Sequence, residues 1–293
     1  MKNLSKLVDA YRVEDGTKFR LKDYDPADTQ GLEETKPQAQ QHLTEGIEKL
    51  TDLQEKLYAQ DQWAVLLIFQ GMDSAGKDGV IKHVMSGVNP QGCQVFSFKH
   101  PSVAELQHDF LWRSTQHLPE RGRIGIFNRS YYEETLVVRV HRELLEKEKV
   151  PQELVANKIW QQRFEDISAF EKYLHHNGVV VLKFFLHVSK KEQKKRFLAR
   201  LDNPAKNWKF SAADVKEREC WNDYQNAYED MIRNTATKRA PWFVVPADNK
   251  WFTRLVVAGA VVDALEKLNL SFPKLSPQEL EPLKAARAEL EKE

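Results

Sequence analysis

Apolar residues fall in short continuous runs at Ala64–Phe69, Cys93–Phe98, Arg123–Asn128, Val179–Val188 and Trp242–Pro246, and each predicts a strand. Between them the spacing changes to three and four. Leu43, Ile47, Leu50, Leu53 and Leu57 mark a helix over 33–60, and Trp251, Leu255, Ala258, Val262 and Leu265 mark another over 250–268. Helices are also expected over 133–142 and 151–176. Ser102 with Glu105 has the form of a capping box opening a helix to about His117. Ser189 with Glu192 and Ser211 with Asp214 mark two more starts, a helix–loop–helix inserted before the last strand. Residues 1–31 are polar and mixed. Arg20 to Thr29 reads as an extended arm turning at Asp25-Pro26, and the tail from Ser276 reads as a charged helix at the surface or in a subunit contact. Strands alternating with helices predict an α/β domain with a parallel sheet, with functional residues just after the strands.

Composition narrows the partners. In 293 residues, Lys+Arg 44 balances Asp+Glu 43, so an anion site must come from local clustering. Two cysteines, Cys93 and Cys220, make no disulfide framework and fit a reducing compartment. No apolar stretch reaches the length of a membrane span, and Met-Lys-Asn-Leu-Ser-Lys begins no signal peptide. The expectation is a cytoplasmic protein with no membrane partner.

The first strand runs into Gly71-Met-Asp-Ser-Ala-Gly-Lys77, and a helix start follows at Asp78. Strand, glycine loop and helix in that order are the setting of a phosphate-binding loop. Gly71 and Gly76 let the backbone curl, the N–H groups of residues 74–79 (Ser74, Ala75, Gly76, Lys77, Asp78, Gly79) turn inward, and Lys77 adds a full positive charge. The loop departs from the usual G-x-x-x-x-G-K-[ST]. Asp78 replaces the hydroxyl and Asp73 lies inside the loop. Carboxylates in a phosphate cradle repel phosphate unless a divalent cation lies between, so the loop points to phosphate and Mg²⁺ together. The plain alternative is a glycine turn with a chance lysine.

Other strand ends carry matching chemistry. The second leads to Lys99. The third leads to Asn128, which hydrogen-bonds but brings no charge, and to Arg129, whose planar fork suits phosphate. Glu133 and Glu134 are adjacent, so at most one should face the site. Arg113 matters only if its helix points inward. The insertion holds Lys190, Lys191, Lys194, Lys195, Arg196, Arg200, Lys206 and Lys209 against Glu192 and Asp202, an excess that suggests a polyanion rather than a solvated face. Arg196 and Arg200, one turn apart, share a face and could close over phosphates as a lid. Trp208 and Trp221 could stack on a base, though large aromatics at helical spacing are more often core. Lys183 inside the fourth strand is anomalous. His141, His175, His176 and His187 show no metal-ligand spacing.

Gly71-Met-Asp-Ser-Ala-Gly-Lys-Asp-Gly, the following Ile81–Val95 stretch, Phe98-Lys-His-Pro-Ser, Phe127-Asn-Arg-Ser-Tyr-Tyr-Glu-Glu, Lys183-Phe-Phe-Leu-His-Val-Ser and Asp202-Asn-Pro-Ala-Lys-Asn-Trp-Lys-Phe together resemble the type-2 polyphosphate kinase family over about residues 20–268. The resemblance implies a three-layer α/β/α P-loop kinase fold of the thymidylate-kinase kind, with a five-stranded parallel sheet and a helical lid. The chain is read as one domain over 1–293: an arm and helix over about 1–60, a core over about 61–188 and 237–270, a basic lid over about 189–236 and a tail over 276–293. The resemblance also implies reversible, Mg²⁺-dependent phosphoryl transfer between inorganic polyphosphate and a purine nucleotide (AMP, ADP or ATP), and a homodimer or homotetramer. By motif position, Asp73 and Lys77 are the loop carboxylate and lysine needed for activity, Arg129 the arginine after the third strand, and Arg200 a basic lid residue. Many members have Asp-Arg-Ser-Trp-Tyr-Asn where this chain has Asn128-Arg-Ser-Tyr-Tyr-Glu133, and Glu133 resembles the subgroup that phosphorylates both AMP and ADP. The carboxylate missing at 128 shifts Mg²⁺ ligation to Asp73 and Glu133.

The reading is an enzyme that binds phosphates and nucleotide through the loop, Lys99, Arg113, Asn128, Arg196, Arg200, Lys206 and Lys209. The alternatives are an ATP-dependent nucleotide kinase of the same fold, which would ignore polyphosphate, and a non-catalytic polyanion-binding protein, which would tolerate loss of Asp73. Nucleic acid is not expected as a partner, since no aromatic-and-basic single-strand platform is evident.

Overall fold

The computed structural model describes residues 2–32, 36–155 and 158–292. α1 (Lys2–Asp9) and a two-residue strand β1 (Arg12–Val13) precede the long α2 (Lys36–Gln60). The alternation expected from the apolar runs follows: β2 (Ala64–Gln70), α3 (Lys77–Val84), β3 (Cys93–Ser97), the single turn α4 (Trp112–Thr115), β4 (Ile124–Asn128), the single turn α5 (Val137–Val140), α6 (Ile159–His176), β5 (Val179–His187), α7 (Lys190–Leu201), α8 (Ala212–Glu217), α9 (Trp221–Thr235), β6 (Trp242–Pro246), α10 (Lys250–Glu266) and α11 (Pro277–Leu290).

The sheet order is β1-β6-β5-β2-β4-β3, with five strands parallel and β1 antiparallel on the edge of β6. The expected five-stranded parallel sheet is present, and among the described residues a sixth, antiparallel strand is added at its edge. The sixth escapes notice because two residues leave no alternation to read. β2 lies wholly buried, flanked by β4 and β5, so its carboxyl end opens where the strand order reverses. α1, α2, α3 and α10 cover one face, and α5, α6 and α9 the other. This is the three-layer P-loop kinase arrangement.

Three expected helices differ. The Ser102/Glu105 box forms, with reciprocal bonds of 2.6 and 3.3 Å, but only one 3-10 turn follows. Asp109 then accepts from the Leu111 N–H at 2.9 Å, and this local bond breaks the helix before α4. Over 131–148 the chain forms two 3-10 stretches around α5, because Tyr131, Tyr132, Glu134, Thr135 and Leu136 are all buried and no one-faced helix accommodates them. α6 begins at Ile159, not 151. The 189–236 insertion also divides. α7 is bonded to the glycine loop and reaches α8 through Arg200 and Asp214, whereas α9 packs on α6 as part of the outer layer.

Candidate active site

A cleft of about 890 Å³ lies outside the carboxyl ends of β2, β3 and β4. Residues Asp73 to Val80 form one wall. Gly76 caps α3 at φ +109°, a conformation natural only to glycine, and a Cβ at Gly71 would come within 3.0 Å of the Leu186 carbonyl. The first N–H groups of α3 have no intrahelical acceptor, which leaves them for an anion. Lys77 is buried, with Nζ donating to the Gly71 carbonyl at 2.6 Å and approaching that of Met72 at 3.4 Å. Burial and then the nearby Arg129 lower its pKa to about 8, against the pull of Asp73.

Arg129 is the centre of the charged constellation. Its N–H continues the β2 pairing to the Phe69 carbonyl at 3.0 Å, and its φ of +65° turns the side chain back toward the loop. There it donates to Asp73 Oδ1 at 2.8 Å and to Glu133 Oε2 at 3.0 Å. Glu133 and then Asp73 hold the guanidinium firmly charged against its burial. Gln70 fixes Glu133 in turn: with its amide nitrogen toward Oε1 the distance is 2.8 Å, and its oxygen accepts from Ser130. Asn128 donates to Asp78 Oδ1 at 2.7 Å. A carboxylate at 128 would face Asp78 with like charge, so the neutral amide suits the acidic loop.

Lys99 and Arg113 form the opposite wall, Arg113 donating to the Lys99 carbonyl at 2.7 Å and lying over the Phe98 ring. Glu134 also lines the cleft. Its carboxylate is buried and accepts from Arg163 at 2.8 Å, so both adjacent glutamates reach the cleft wall, contrary to the expectation of one.

The two insertion arginines part company. Arg200 donates to Ser74 Oγ at 2.8 Å and lies 3.8 Å from Asp214. Arg196 is spent on the scaffold, donating to the carbonyls of Ser74, Ala75, Ala247 and Asp248 and to Glu192. It braces the loop from beneath while its side chain still lines the cleft. Gln193 adds a bond to the Asp73 carbonyl at 2.9 Å, so α7 is fastened to the loop along its length. Trp208 is not core: it is 77% exposed at the cleft rim. Trp221 is half-buried under Lys190. Lys206 lines the cleft, Gly71 lies at the loop's base outside the lining, and the Lys209 side chain lies outside the described residues.

Residues distant in sequence complete the site. Lys250 and Arg254 reach the cleft from the first turns of α10, and Glu148 from the 3-10 stretch after α5. Burial and then Glu134 raise the Glu148 carboxyl to about 8. Tyr228 on α9 is buried close to Gly71, Glu133, Arg129 and Asp73. Strand-end reasoning cannot find side chains that arrive from helices of the outer layers.

Among the described residues no three His, Cys, Asp or Glu side chains converge as a metal cage, and no helix is long and apolar enough to cross a membrane. The profile described as polyphosphate kinase 2 matches residues 33–273. An ADP-polyphosphate phosphotransferase of Rhodopseudomonas palustris is 53% identical over 96% of this chain and 97% of its own. An AMP/ADP-polyphosphate phosphotransferase of Meiothermus ruber is 46% identical over 90% and 95%. The crystal structure of polyphosphate kinase 2 from Arthrobacter aurescens superposes with a TM-score of 0.87 at 38% identity, covering 97% of this chain and 96% of that one. With the acidic loop, Arg129 and the basic insertion assembled on a P-loop kinase sheet, the chain belongs to the polyphosphate kinase 2 family.

Proposed function

We propose that the protein moves the terminal phosphoryl group of inorganic polyphosphate to AMP and to ADP, reversibly and with Mg²⁺. The observation that carries this is the two-sided cleft around one phosphate loop. On one side Lys206, Lys250 and Arg254 crowd the loop with no ion-pair partner among the described residues, and Lys206 and Arg196 add to the burial that lowers the Lys250 pKa. Several cations without an ion-pair partner along one cleft suit a chain of phosphates. On the other side Phe110, Val137 and Leu144 stand beside Lys99 and Arg113, an apolar and cationic mixture suited to a nucleotide. The names of the two relatives agree on polyphosphate and differ on AMP. Purified protein with Mg²⁺, AMP and long-chain polyphosphate, without ATP, is expected to form ADP and then ATP. Inert AMP with reactive ADP confines the enzyme to ADP, and turnover from ATP alone makes it an ordinary nucleotide kinase.

The terminal phosphate of the acceptor attacks in line, and its oxygen is already ionised, so no general base is needed. The task is to overcome repulsion between two polyanions. Lys77, Arg129 and Arg113 neutralise the transferring group, and the N–H groups at the start of α3 bind its oxygens. Mg²⁺ fits the residues in its usual manner, one or two carboxylates with phosphate oxygens. Asp73 would hold it, since Glu133 is committed to Arg129 and Gln70. When bound it spreads the charge of the bridging phosphates. With α7 fastened to the loop, closure against water falls to the segment 202–217, which carries Lys206 and Trp208.

Two outcomes follow from the sides of the cleft. Lys250→Ala with Arg254→Ala raises KM for polyphosphate roughly tenfold, most at low salt, and leaves KM for ADP nearly unchanged. Initial rates at two ionic strengths check it, and equal change on both substrates contradicts the division. Glu133→Asn lowers kcat/KM for AMP more than for ADP. AMP presents its reacting phosphate one unit nearer the nucleoside and depends more on an Arg129 held in place. Parallel loss on both acceptors removes Glu133 from selectivity.

A further inference from the structure

Lys183 lies on β5 with no exposure at all and takes no part in the cleft. Its ammonium has three hydrogens and meets three acceptors: Glu171 Oε2 at 2.6 Å, the Thr235 carbonyl at 2.8 Å and the Tyr132 hydroxyl at 3.0 Å. Glu171 Oε1 accepts from the Tyr131 and Tyr132 hydroxyls at 3.0 and 2.8 Å. Thr235 is the last residue of α9, so the charge also stands at that helix's negative end. Three acceptors match the three hydrogens of an ammonium, the arrangement a buried lysine needs to keep its charge against the burial that lowers its pKa.

A buried ion pair contributes little net stability, because desolvation offsets the attraction. This pair instead joins elements that converge on the phosphate loop. Tyr132 precedes Glu133, which holds Arg129. α9 ends at Lys183 and, about two turns earlier, carries Tyr228 to Gly71, Glu133 and Arg129. We propose that Lys183 and Glu171 are positioning residues for phosphoryl transfer: the pair fixes α9 and the 129–135 segment to β5, and so sets where Arg129, Glu133 and Tyr228 stand against the loop. The inference rests on the activity proposed above. Wild-type turnover of ADP with polyphosphate, measured first, tests that activity separately.

Lys183→Met with Glu171→Gln removes both charges and keeps an amide oxygen for the two tyrosine hydroxyls. The unfolding midpoint is expected within about 5 °C of the wild type. KM for polyphosphate should stay within about threefold while kcat falls roughly 10- to 100-fold, the cost of a displaced reacting group. Tyr132→Phe removes a single hydroxyl of the network, leaves one Lys183 hydrogen without its acceptor, and should lower kcat about fivefold while the midpoint falls by only a few degrees. Added to the pair variant it should cost nothing further, since the link is already cut. Unchanged kcat in the folded pair variant overturns the proposal, as does a full multiplicative loss in the triple variant. If the pair variant fails to fold, Tyr132→Phe decides: wild-type kcat there overturns it, and reduced kcat with unchanged KM supports it.

Discussion

Lys77→Met lowers phosphoryl transfer about 10²- to 10³-fold and, at neutral pH, makes the folded protein more stable. Both results have one cause. The ammonium is buried, donating to the Gly71 carbonyl and only approaching that of Met72, so it waits in the loop at the expense of folding. Folding lowers its pKa from 10.5 to about 8, so between those values the unfolded chain binds more protons. Stability therefore rises with pH through that window: the penalty is full below about pH 8 and is relieved toward 10.5. Methionine removes the penalty, and its stabilising effect should shrink as pH rises above 8. Activity follows the opposite course. In the wild type kcat/KM for polyphosphate should fall above about pH 8 as free Lys77 loses its proton. The limb in kcat should lie higher, because bound phosphates restore the charge. Thermal unfolding and steady-state rates across pH 6–10 check both. A kcat/KM profile flat through pH 9 means that Lys77 is charged in the free enzyme or does not bind the transferring phosphate.

Local order made much of this site readable from sequence. A strand, a glycine loop and a helix are contiguous, so Gly71 to Gly79 could be placed together, and Asn128, Arg129 and Glu133 follow a strand adjacent to it. What was not readable depends on layers. Arg196 and Arg200 share a helix face, yet one turn decides that the first lies beneath the loop and the second beside Ser74. Lys250, Arg254, Glu148 and Tyr228 enter from helices whose rotation about the sheet is set by packing, not by their own sequence. α1 is not legible because two turns are too short for a periodicity to stand out, although Leu4, Leu7 and Val8 have helical spacing and Leu7 and Val8 are buried in the core. The Ser102 box overstates its helix because capping specifies where a helix starts, and Asp109 specifies where it stops.

Asp73→Asn separates the charge of the loop carboxylate from its shape. Asparagine keeps an oxygen for Arg129, whose bond to Oδ1 is 2.8 Å, and the main-chain bond from Gln193 is untouched. The fold and Arg129 should therefore stay in place. The loss is one negative charge beside the phosphate cradle. A carboxylate there opposes polyphosphate unless a cation lies between them; its loss removes that opposition but also weakens the cation's hold, so KM for polyphosphate at saturating Mg²⁺ should change by no more than about threefold. kcat should drop about 10²- to 10³-fold, and half-activation by Mg²⁺ should move up by more than the roughly tenfold that loss of an outer-shell partner costs. Asp73→Ala also releases Arg129 from one of its two anchors, and should add a loss of acceptor binding that Asn does not show. If Asp73→Asn keeps its kcat at saturating Mg²⁺, the carboxylate serves only to hold Arg129. Metal binding then passes to the phosphates and Asp78, and the acidic loop is explained by the arginine rather than by the cation.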